Sequence, residues 1–208
     1  MLPLETVLTF TAAAALMGLA PGPDNLYVIA QSLQQGRRAG FWVTLGLCSG
    51  LCVHTLAVTL GLAALLATSP LAYALLKVAG ALYLLYLAWQ AFRAGNTQAR
   101  SATTLSPGAL YRRGILMNIS NPKVSIFFLA FLPPFTNPDY GPLTSQLLLL
   151  GGLFIAVTLL VFVLLAVSAA SLGARLQRGR NLQRRLQQLT GLLFLALSLH
   201  LLHSAANL

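Results

Sequence analysis

Apolar residues fall into six long runs along the chain, roughly 4–34, 40–66, 70–92, 112–135, 143–172 and 186–205. Each is long enough for a helix to cross the hydrocarbon core of a bilayer, which takes about 20 residues. Between them stand turn-forming groups: Gln34-Gln35-Gly36, Thr68-Ser69-Pro70, Gly95-Asn96, Asn137-Pro138-Asp139 and Arg178-Gly179-Arg180. The longest connection, about 93–111, is polar and carries Ser and Thr, as expected of a mobile loop. The runs are continuous rather than alternating, which excludes a β-barrel. The pattern predicts an all-α integral membrane protein of six transmembrane helices. It forms a single transmembrane domain over 1–208 and leaves no room for a soluble domain.

A weak internal repeat refines that expectation. With a shift of about 100 residues, Leu16-Met17-Gly18 faces Leu116-Met117-Asn118, and with one residue less Pro23-Asp24 lies over Pro122-Lys123. Val78-Ala79-Gly80-Ala81-Leu82 resembles Leu189-Thr190-Gly191-Leu192-Leu193. The expected halves are about 1–95 and 110–208. Three helices per half is an odd number, so the second half must insert with the opposite orientation. That is the inverted repeat of many secondary transporters.

Composition agrees: 57% of the 208 residues are hydrophobic and 8% are charged, against about a quarter in soluble domains. This argues against a soluble enzyme and against a disordered chain. The excess of 13 Lys and Arg over 3 Asp and Glu would suit a nucleic-acid binder, but the cations lie between apolar runs, so no nucleic-acid partner is expected. Arginines occupy only odd-numbered connections: Arg37 and Arg38, then Arg93, Arg100, Arg112 and Arg113, then Arg175, Arg178, Arg180, Arg184 and Arg185. Odd connections are therefore expected in the cytoplasm and both termini outside. The N-terminal segment carries Glu5 and no cation before Arg37, so a retained helix is expected rather than a cleaved signal peptide.

Both lysines, Lys77 and Lys123, and one acid, Asp24, lie well inside apolar runs, away from their ends. Lys77 is placed to snorkel toward the outer surface. Asp24 follows Pro21, Gly22 and Pro23, a group that cannot continue a helix. A half-helix ending near Leu19 and a second starting at Pro23 are expected, with Asp24 and Asn25 in the first turn of the second. Asn118, Asn121, Pro122 and Lys123 form the same device in the fourth run, Asn121 as N-cap and Pro122 as first residue. Two helix N-termini then face one another near the midplane, with partial positive charge suited to a carboxylate. A zwitterionic amino acid fits: its carboxylate toward the half-helix ends, Asn118, Asn121 and Lys123, its ammonium toward Asp24. The competing reading is an Asp24–Lys123 ion pair that locks the halves together; ionisable groups at this depth more often serve a pathway.

His54 lies midway along the second helix, where packing and a proton-coupling or substrate role are both open. Cys48 and Cys52, one turn apart on a helix, do not meet disulfide geometry, and Gly46 and Gly50 make a small-residue face for a neighbouring helix. No P-loop, metalloprotease motif or nucleophile elbow occurs. No enzymatic activity, cofactor or metal site is expected.

The chain resembles the lysine exporter (LysE/RhtB) superfamily of bacterial amino-acid exporters. The resemblance rests on Pro21-Gly22-Pro23-Asp24-Asn25, on Gly36-Arg37-Arg38-Ala39-Gly40 and on Gly80-Ala81-Leu82-Tyr83-Leu84-Leu85-Tyr86-Leu87. It ends with Gly114, Asn118, Asn121, Pro122 and Lys123 in the fourth run. It covers nearly the whole chain and is closer to the homoserine, threonine and leucine branch than to the basic-amino-acid branch. It implies six helices in the bacterial inner membrane and proton-driven efflux of amino acids or their derivatives. The implied partners are a small amino acid, protons and the lipid bilayer, with a homodimer as the candidate assembly. Two rivals need other residues. A metal or cation effluxer of the same superfamily needs more carboxylates and histidines. A thiol–disulfide carrier needs cysteines on different helices.

Overall fold

A computed structural model of the chain describes residues 2–20, 22–68, 70–93 and 104–172, with 188, 191–192, 195–196, 198–199 and 202–203 of the final run. Helix α1 spans Leu4–Leu19 and α2 Pro23–Gln35; α3 is Arg37–Thr68 and α4 Pro70–Arg93. Helix α5 is Pro107–Ile119 and α6 Pro122–Phe131; two short 3-10 turns, Pro133–Phe135 and Pro138–Tyr140, lead into α7, Leu143–Leu172.

Both expected breaks are present at the expected residues. The α1–α2 pair bends by 58° and the α5–α6 pair by 53°. Among the described residues, Arg37–Gly61 and Leu143–Ser171 are long and apolar enough to cross a membrane, and each bent pair adds a span if taken as one, giving two to four. Most of the sixth run, Pro21, Arg100 and the arginines at 175–185 lie outside the described residues.

Local chemistry moves some boundaries. Gly36 ends α2 at φ +81°, a left-handed conformation natural to glycine, and α3 starts at once with Arg37. Helix α5 begins at Pro107, five residues before the apolar run, because Ser106 caps it: the Ser106 hydroxyl accepts from the Ala109 N–H at 3.4 Å. Arg112 and Arg113 therefore sit on α5 rather than in a loop, and the Arg113 guanidinium lies 5.2 Å from the Tyr27 ring centre. The turn before α7 is tied by Gln146, whose amide N–H groups donate to the Asn137 and Gly141 carbonyls at 2.8 Å.

Helix α3 is the spine, packed against α5 and α7; α1 and α2 lie on α7, and α4 on α6. The α3–α5 crossing is backbone to backbone. A Cβ on Gly114 would stand 2.6 Å from the Val43 carbonyl oxygen, and one on Gly50 2.7 Å from the Asn118 side chain. The small-residue face expected of Gly46 and Gly50 is what admits α5 so closely.

The apolar interior is divided in two. One cluster joins Phe10, Met17, Leu51, Phe127, Phe128, Phe131 and Phe154; the Phe127 and Phe131 rings meet at a 30° tilt with centres 4.3 Å apart. The other joins Val28, Val43, Leu47, Leu110, Val161 and Phe162. Helix α7 contributes to both, and the polar residues of the two breaks lie along the boundary.

Candidate functional site

Helix α2 starts with Pro23, which lacks an N–H and so wastes no donor there, and Asp24 follows in the first turn, favoured by the N-terminal partial charge. Helix α6 repeats this with Pro122 and Lys123, and its N-cap Asn121 accepts from the Lys123 N–H at 3.1 Å. The two N-termini meet. The Asn121 amide donates to one Asp24 carboxylate oxygen at 2.9 Å, and the Asn118 amide donates to the other at 3.0 Å. Asp24 is thus held by two side chains about a hundred residues away, one from each half of the second broken helix. Each carboxylate oxygen keeps a further lone pair.

Lys123 reaches back across the first break. Its ammonium donates to the Ala20 carbonyl at 3.1 Å, one of the carbonyls freed where α1 stops. It passes over Gly22, where a Cβ would stand 3.3 Å from Nζ. Gly22 itself is extended, at φ −166°, so close approach rather than backbone conformation favours glycine there. The Asn25 amide donates to the Gly18 carbonyl, tying the first turn of α2 to the last turn of α1. His54 Nε2 lies 3.1 Å from the Asn118 carbonyl oxygen, within hydrogen-bond reach of the end of α5.

The residues singled out from sequence, Asp24, Asn25, His54, Asn118, Asn121 and Lys123, therefore converge, with Gly22, Pro23 and Pro122 shaping the backbone around them. Pro21 lies outside the described residues. Asp24, Asn25, Asn118 and Asn121 are all buried. The arrangement differs from the expectation in one respect: the asparagine amides turn to the Asp24 carboxylate. Lys123 lies beside them, its ammonium engaged by the Ala20 carbonyl.

Asp24, Asn25, Asn118, Asn121 and Lys123 line a cavity of about 30 Å³, together with Met17, Leu51, Phe154, Thr158 and Phe162, and His54 stands outside this lining. The cavity holds a water or two and not an amino acid. The α7 residues were not found from sequence. Thr158 is the one hydroxyl residue in the middle of α7, with Thr144, Ser145, Ser168 and Ser171 near its ends, and only its polarity against that apolar stretch could have marked it. Among the described residues, no group of three His, Cys, Asp or Glu could hold a metal ion, and Cys48 and Cys52 are free thiols.

Residues 15–205 match the family described as LysE type translocator. An uncharacterized membrane protein of Vibrio cholerae serotype O1 is 35% identical over 192 residues, covering 90% of this chain and 92% of that protein. The homoserine/homoserine lactone efflux protein of Salmonella typhimurium is 33% identical over 188 residues, covering 89% and 90%. The protein of the same name in Salmonella typhi is 32% identical over the same length. No solved structure matches the chain.

Proposed function

The chain belongs to the LysE type translocator family, and from that premise we propose that it exports small neutral amino acids, or derivatives such as homoserine lactone, from the cytoplasm by proton antiport. The membrane it occupies is the bacterial inner membrane. It crosses six times, as two inverted three-helix repeats with both termini outside.

The observation that supports this reading is the pairing of opposite charges at the meeting of two helix breaks: Asp24 held by Asn118 and Asn121, and Lys123 beside it in one small cavity. Such a site is neutral overall and polar at both ends, as is a zwitterion. The substrate ammonium binds Asp24 and the side-chain oxygen Oδ1 of Asn118, which has no partner among the described residues; the carboxylate binds Lys123 and the N–H groups at the start of α2. Asp24 also carries the coupled proton, exchanging it against the substrate ammonium. The two apolar clusters act as plugs on either side, opening one at a time. The Salmonella relatives, named for homoserine and its lactone, favour a short, polar cargo.

The test is export from proteoliposomes loaded with a mixture of neutral and basic amino acids under an imposed pH gradient. Gradient-dependent loss of one small neutral class is the expected result. Loss of none, with intact and inserted protein, overturns the amino-acid reading and favours a cation cargo.

A further inference from the structure

Buried hydroxyls in this chain generally donate back to their own helix. Thr11, Ser32, Thr44 and Thr55 each bond the carbonyl four residues earlier, at 2.6–2.9 Å. Among the described residues the buried threonine hydroxyls of Thr59 and Thr158 have no partner, and of the two only Thr158 lines the cavity at the breaks. Thr158 is 4% exposed. It lines the cavity between Phe154 and Phe162, one turn away on each side along α7. A buried hydroxyl without a partner costs stability, and here it belongs to a residue that lines the cavity beside the two breaks. Asn118 Oδ1 is the cavity's other open polar atom, but it is an acceptor only, whereas a hydroxyl both donates and accepts.

We propose that Thr158 reads the side chain of the cargo, hydrogen-bonding a side-chain oxygen while Phe154 and Phe162 limit its length. This rests on the reading of the cavity as an amino-acid site, and it narrows the cargo to short amino acids with a side-chain hydroxyl, and their lactones. The hydroxyl accepts from a cargo alcohol and donates to the ring oxygen of a lactone, which is the former side-chain oxygen, so one residue serves both forms. A cargo of the same shape with a methyl in place of the hydroxyl would leave Thr158 unpaired, and sites that depend on such a bond discriminate strongly against the analogue lacking it.

The experiment measures export of homoserine against norvaline, which has a methyl in place of the hydroxyl, from proteoliposomes under one pH gradient. Wild type is expected to favour homoserine by about 10-fold or more. Thr158→Val, which keeps the shape, collapses that ratio toward one, and Thr158→Ser retains it. An unchanged ratio in T158V, or no preference in wild type, overturns the proposal. If T158V exports neither, the ratio is read on T158A; equal loss of both there makes Thr158 structural and overturns the reader role. Wild type exporting neither amino acid strikes instead at the amino-acid reading itself.

Discussion

At the first break, between α1 and α2, the chain uses backbone. Gly22 caps α2 without a side-chain hydrogen bond, and the carbonyl left over at Ala20 is taken by a lysine from elsewhere. At the second, between α5 and α6, side chains do the same work: Asn121 caps α6 through its own oxygen and spends its amide on Asp24. The supports differ too. Helix α5 is set against the backbone of α3 through Gly46 and Gly114, whereas α1 rests on α7 through side chains, as where Gly18 meets Val161. A Cβ at Gly18 would make ordinary contact at 3.5 Å. The two breaks share a topology but not a chemistry. The second is a frame set on the α3 backbone and carrying the amides and the cation; the first is an arm that carries the acid, with α2 packed closely on α3 where Gly40 meets Ser32.

The largest effect is expected from breaking the frame. Gly114→Val drives a side chain into the Val43 carbonyl and should cost about 3 kcal/mol or more, read as a lowered thermal midpoint or loss of monodisperse protein in detergent. Removing the charge the arm delivers comes next. Asp24→Asn faces two amide donors with a third amide and leaves Lys123 without its compensating charge, and export should fall about 100-fold or more. If that variant still exports against a gradient, Asp24 is not the proton carrier. Asn121→Ala loses both a cap and a donor to Asp24: about 1 kcal/mol in stability and about 10-fold in export, measured on the same preparation. Gly18→Ala should be the mildest, within about 0.5 kcal/mol by thermal unfolding; a drop as large as that of Gly114→Val would erase the contrast between arm and frame.

The breaks were legible in the sequence because proline and glycine act on the backbone directly. Pro21-Gly22-Pro23 and Asn121-Pro122 locate the half-helix starts whatever packs around them, and charges inside apolar runs mark the site for the same local reason. What Asn118 and Asn121 bond was not legible, since an amide serves a substrate carboxylate or an aspartate equally well and only tertiary packing decides. Thr158 was hidden by its neighbours. A threonine in a helix usually satisfies itself against its own backbone, so its sequence position carries no sign that this one does not. The start of α5 was misplaced because hydropathy ignores Ser106-Pro107, a capping signal that outweighs the polarity of the turn it opens.

Gln35, the last residue of α2, holds Leu105 by both ends of its amide: it donates to the carbonyl and accepts from the N–H, each at 3.1 Å. The pair ties the end of α2 at two points to the segment leading into α5. Two such bonds are together worth about 1–3 kcal/mol. The two broken helices are therefore joined twice, by Asp24 at their breaks and by Gln35 at the far end of α2, and loss of the second tie leaves the first in place.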